Sequence, residues 1–217
     1  VGPLLDQIAG IHGYEYPPIT ALQAMRTQVD PAALSGTIIL VHIANMPAFL
    51  GRTIYYSPGD GKNLNRMFPG DPEGSISQRI AHILTTEVID QANYLVDLHG
   101  GDGNEALRPY VYMPVTGNAV FDSKIEGLAA AFGLDHIVMD TGPQHASGLS
   151  LFTDQTALER GIPAITTETG KSGSNSPYWV GLAERGIWNV LRHLNMIAED
   201  EVINTGITWL SDYKVIN

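Results

Sequence analysis

A chain of 217 residues, 44% hydrophobic and 16% charged, can bury one full core but not two, so disorder is excluded and a single domain is expected. With 12 Lys and Arg against 23 Asp and Glu, the net charge of -11 and the lack of any basic run exclude a nucleic-acid partner. There is no cysteine, hence no disulfide and no thiolate metal ligand, and no apolar run nears the roughly 20 residues that a membrane span requires.

The first apolar run predicts a strand over 4–11. A core strand at the very start leads us to expect that the chain begins inside a longer polypeptide, and the N-terminus lacks a signal-peptide pattern, so a cytoplasmic location is expected. A helical period over 19–29 and a strand over 37–44 follow. Residues 45–74 are rich in Pro, Gly, Asn and Asp, and a connection of that length inside a compact domain is usually functional. Ser75 is placed to cap a helix over 76–91. Strands are expected over 94–98, 110–113, 136–139 and 164–167, alternating with helices over 119–132, 149–160 and 179–197. In the last helix Val180, Ala183, Ile187, Val190, Leu191 and Leu194 form one apolar stripe. Several strands are apolar on both parities. The expected fold is α/β, a sheet with crossover helices and both faces covered.

Two of these strands end in metal-binding residue types. The first runs into Gly10-Ile11-His12-Gly13-Tyr14-Glu15, where a spacing of three lets His12 and Glu15 converge on one turn. The third ends in Asp97-Leu98-His99-Gly100-Gly101, an imidazole at the sheet edge followed by glycines that admit close approach. Ligands of open α/β sheets bind beyond the carboxyl ends of strands. Two histidines and a carboxylate, with a fourth position for water, form the ligand set of a hydrolytic zinc site, although N and O donors also admit other divalent ions. Asp97 lies two residues before His99 on the same strand face, suited to orienting its imidazole.

The run Asn63-Leu64-Asn65-Arg66-Met67-Phe68-Pro69-Gly70 resembles the Asn-Arg-x-Phe-Pro-Gly signature of the succinylglutamate desuccinylase/aspartoacylase family, the deacylase branch of the zinc carboxypeptidase-like hydrolases. The resemblance continues through the His12 and His99 segments, Asn45-x-Pro-Ala-Phe49, and Gly161-Ile-Pro-Ala-Ile-Thr-Thr-Glu168-x-Gly170, in family order from residue 10 to 170. It implies a zinc carboxypeptidase-like α/β fold, with a mixed, mostly parallel central sheet flanked by helices on both faces, and one Zn2+ per chain held by His12, Glu15 and His99. Glu168 then matches the catalytic base, and Asn65 with Arg66 the pair that grips the substrate carboxylate. That pairing suits an anionic amino-acid end, since a guanidinium binds a carboxylate in a bidentate manner. Many members carry an arginine about ten residues before this Asn to stabilise the oxyanion. Tyr55 stands there, so the role is expected of Arg52, the one arginine between Asn45 and Asn65.

The implied activity is hydrolysis of the amide of a small anionic N-acyl amino acid. The alternatives are a metallocarboxypeptidase or other amidase acting on small peptides, and a non-catalytic binding protein on the same fold. The catalytic domain is expected over 1–200. Family members commonly add a smaller β-rich domain, so 201–217 is expected to open such a segment. Homo-oligomerisation is left open. Of the other histidines, His42, His82, His136 and His193 are expected in core or surface roles, and His145, in a Gly-rich loop, is a candidate for the pocket lining.

Overall fold

A computed structural model of the chain describes residues 2–141 and 151–211. Its strands are β1 (Leu4–Ala9), β2 (Thr37–Val41), β3 (Tyr94–His99), β4 (Tyr110–Pro114), β5 (His136–Asp140), β6 (Ala164–Glu168) and β7 (Thr208–Leu210). They form one sheet in the order β2-β1-β3-β6-β4-β5-β7. The pairs among β2, β1, β3 and β6 are parallel, as are β4–β5 and β5–β7, and the one antiparallel pair is β4–β6. The reversal has a local cause. No helix separates β3 from β4, so β4 sets out from the edge where β3 ended and runs back, and β6 later fills the space between them.

The helices are α1 (Tyr16–Gln28), α2 (Met46–Gly51), α3 (Ile76–Glu87), α4 (Ala119–Phe132), α5 (Thr153–Leu158) and α6 (Pro177–His193). Leu22 and Met25 of α1, Leu128 and Phe132 of α4, and Ile187 and Leu191 of α6 pack with Leu5, Val96 and Ile165 on one face of the sheet. Ala81 and Leu84 of α3 and Ala157 of α5 pack with Ile8, Leu95 and Ala164 on the other. Both faces are therefore covered, as near-continuous apolar strands require.

Where boundaries differ from the sequence pattern, the backbone gives the reason. β1 stops at Ala9 because Gly10 turns the chain with φ 71. The helix expected from residue 19 starts at Tyr16, since prolines fit the first turn, where no intrahelical N–H is needed. The helix expected over 76–91 breaks at Val88, φ -120 and ψ -73, into α3 and a short 3-10 turn. Of the helix expected over 149–160 only α5 forms, residues 149 and 150 lying outside the described residues. The stretch 45–74 contains α2 and a 3-10 turn at Leu64–Arg66. Residues 208–210 add β7 to the sheet beside β5, with Trp209 opposite Ile137.

Candidate metal centre

The edge at which β1, β3 and β6 end gathers the chemistry. His12 and Glu15 occupy the turn between β1 and α1, and Glu15 stands at the start of that helix. Gly13 between them is obligatory: a Cβ there would lie 2.4 Å from the Ala48 carbonyl oxygen and 2.5 Å from that of Thr53. Asn45 ties the neighbouring segment down. Its Oδ1 accepts from the Ala48 N–H at the start of α2, and its Nδ2 donates to the Ile11 carbonyl at 3.2 Å.

His12, Glu15 and His99 are nearly enclosed, at 8%, 2% and 3% exposure. One nitrogen or oxygen from each falls within 4.8 Å of the others. Glu15 Oε1 is 2.7 Å from His12 Nδ1, and Oε2 is 2.9 Å from His99 Nδ1. The outer nitrogens face acceptors. His12 Nε2 is 3.1 Å from Asn63 Oδ1, and His99 Nε2 makes an angled contact of 3.0 Å with Asp97 Oδ2. Asn63 Oδ1 also accepts the Asn65 N–H, which marks it as an acceptor, so His12 donates through Nε2. Its Nδ1 then meets the Glu15 carboxylate either as the N–H of an imidazolium or as a lone pair beside a divalent ion that both groups hold. The donor set therefore fits a divalent ion, with Asn63 and Asp97 orienting the imidazoles from behind.

The local field agrees. Burial alone would raise the Glu15 pKa, yet His99 and His12 bring it down to about 2. Burial would lower that of His99, but Asp97 and Glu15 hold it well above the usual histidine value. The pocket therefore favours positive charge beside an ionised Glu15.

Glu168 ends β6 directly beside His99, its register partner on β3, and beside Tyr110 on β4. Burial first, and then the charge of Glu15, push its pKa well up. Its Oε2 is shielded and has no hydrogen-bond partner among the described residues.

Asn65 and Arg66 lie on the 3-10 turn beside α5. Asn65 Oδ1 accepts both the N–H and the hydroxyl of Thr153 at 3.0 Å, which fixes the amide and leaves its NH2 to point elsewhere. The Arg66 guanidinium donates to the Asn65 carbonyl at 2.6 Å and lies 4.3 Å over the Phe152 ring. Arg52 is placed differently. It ends α2 with φ 48, is exposed, and among the described residues its side chain makes no hydrogen bond or ion pair. Tyr55, not Arg52, lies against His12, with ring centroids 5.6 Å apart.

Asn63, Tyr55 and Asp102 are supporting residues that sequence reasoning did not assign; the adjacency of Asn63 to the Asn65-Arg66 pair was the available signal. His145 lies outside the described residues. His136 and His193 pair at the surface with Asp135 and Glu201.

The fold and site define an α/β domain that gathers two imidazoles and a carboxylate, a donor set suited to a divalent ion, at the carboxyl edge of its sheet. Residues 5–194 match the succinylglutamate desuccinylase/aspartoacylase catalytic domain, and the chain belongs to that family. It is 35% identical over 198 residues to the N-alpha-acetyl-L-2,4-diaminobutyric acid deacetylase of Halomonas elongata, covering 90% of this chain and 56% of that protein. Among solved structures, a succinylglutamate desuccinylase/aspartoacylase from Rhodobacter sphaeroides superposes with a TM-score of 0.83 at 30% identity, over 92% of this chain and 57% of that one. The product-bound ectoine utilization protein EutE (DoeB) from Ruegeria pomeroyi gives 0.87 at 26% identity, over 95% and 62%. The chain thus spans little more than half the length of these relatives.

Proposed function

We propose that this chain is the catalytic domain of a zinc-dependent deacylase that hydrolyses the amide of a small N-acyl amino acid, with one Zn2+ held by His12, Glu15 and His99. The observation that carries the reading is the convergence of both Nδ1 atoms on the Glu15 carboxylate, with Glu168 in register beside His99. When bound, the ion supplies Lewis-acid activation of water and of the carbonyl.

The remaining steps belong to the chain's own residues. Asn65, its carbonyl already engaged by Thr153, offers its NH2, and Arg66 its guanidinium, to the carboxylate of the substrate. Glu168, ionised once positive charge occupies the neighbouring site, accepts a proton from the attacking water at its shielded carboxylate and returns it to the leaving amine, giving a carboxylate and a free amino acid. Arg52 stabilises the oxyanion only on swinging in from its exposed place at the end of α2. Among the described residues no helix is long and apolar enough to cross a membrane.

The test is hydrolysis of a panel of N-acetyl and N-succinyl amino acids and dipeptides with zinc added. Turnover of dipeptides alone would move the assignment to a peptidase. Glu168→Gln should keep one zinc per chain and lower kcat by about 10² to 10⁴-fold, and near-normal turnover would remove it as the base.

A further inference from the structure

The segment after α2 reaches His12 twice. Tyr56 and Asn63 face each other across an antiparallel bridge, closed by the Ser57 N–H to the Lys62 carbonyl at 2.9 Å and the Gly61 N–H to the Ser57 carbonyl at 2.8 Å. Residues 56–63 are therefore a tight hairpin. One leg presents Asn63, whose Oδ1 accepts from His12 Nε2. The other begins at Tyr55, whose ring stands edge-on to the imidazole with planes at 90°.

Tyr55 is held there against its backbone preference. Its φ of 56 lies in the left-handed region that bulky side chains avoid. The restraint comes from the loop that leaves β3. The Tyr55 N–H donates to Asp102 Oδ2 at 3.1 Å, and its hydroxyl donates to Asn104 Oδ1 at 3.0 Å. Asp102 is fully buried and lies three residues past His99, and its other oxygen accepts the Gly103 N–H at 2.7 Å. The loop that follows one histidine thus fixes the residue that touches the other.

We propose that Tyr55 is a positioning residue for His12, anchored by Asp102, whose ring edge braces the imidazole and directs Nδ1 at the metal. The inference rests on His12 being a metal ligand. An imidazole held only at its two nitrogens can still pivot about the line that joins them. A ring edge on a second side removes the pivot, which is how packing locks a ligand rotamer.

The experiment compares Tyr55→Gly and Tyr55→Phe with the wild-type chain, reading zinc affinity by chelator competition and the thermal midpoint of the zinc-free protein. Glycine accepts a φ of 56 without strain, so Tyr55→Gly holds or raises the zinc-free midpoint while zinc affinity falls about tenfold. Tyr55→Phe keeps the ring edge and with it the wild-type affinity. Unchanged affinity in Tyr55→Gly, or an equal loss in both variants, overturns the brace. A loss of affinity matched by a loss of zinc-free stability overturns it too, by making Tyr55 structural. A wild-type chain that binds no zinc overturns the metal reading, and the brace with it.

Discussion

Asp6 sits in the middle of β1, between Ile39 of β2 and Leu95 of β3, with no exposed surface. Neither carboxylate oxygen has a hydrogen-bond partner among the described residues. Burial pushes its pKa up to about 7 from an ordinary 3.8. In the unfolded chain the group ionises from 3.8 upward, while in the fold it stays protonated until about 7, so stability falls as pH rises through that window. At 1.36 kcal/mol per unit the full loss is about 4 kcal/mol as an upper bound, of which about 3 kcal/mol falls between pH 5 and pH 8. Asp6→Asn has the same shape and no titration. In urea unfolding, wild type should lose about 3 kcal/mol relative to Asp6→Asn between those two pH values, or about 1 M in midpoint at an m of about 3 kcal/mol/M. All other titrating groups cancel in this double difference. Parallel pH profiles for the two proteins would refute the reasoning, because they would mean that Asp6 is solvated or paired in the fold.

Three further outcomes are expected. Asp97→Asn removes the charge 3.0 Å from His99 Nε2 and should weaken zinc binding by about 10 to 100-fold in chelator competition; unchanged affinity would show that Asp97 does not orient the ligand. Asn65→Asp keeps the acceptor for Thr153 but replaces the amide donor by a negative charge, so KM for an N-acyl amino acid should rise at least about tenfold with stability held, and an unchanged KM would take Asn65 out of the site. In Gly186→Ala the new Cβ would lie 2.3 Å from the Phe132 ring, which should cost about 1 to 3 kcal/mol in urea unfolding. The loss should be recovered by adding Phe132→Leu, and failure of the pair to couple would mean that the clash is relieved elsewhere.

The electrostatics of the site explain why its parts must be read together. Glu15, Asp97 and Glu168 crowd one sheet edge, and in a shielded pocket such carboxylates repel unless positive charge is shared among them. The two imidazoles, with the ion proposed for them, would provide that charge. Asn65 is set by a different force, the need of the first N–H of α5 for an acceptor, so the residue proposed to meet the substrate is also a helix cap.

Much was legible in the linear chain. Apolar runs bounded by Gly and Pro marked six of the seven strands to within a few residues, because a strand covered on both faces must be apolar on both parities. The alternation of those runs with helical periods gave an α/β sheet with helices on both faces, while the antiparallel β4–β6 pair left no such sign. His12, Glu15 and His99 stood out because each follows an apolar strand at its carboxyl end, and local sequence does reveal where a strand stops. Tertiary structure decided the rest. Glu168 became the neighbour of His99 only because β6 inserts between β3 and β4, and a register between strands some seventy residues apart leaves no mark in local periodicity. Likewise Tyr55, rather than Arg52, meets His12 because Asp102 captures the Tyr55 N–H in a left-handed turn, a hydrogen bond between two loops that neither loop specifies alone.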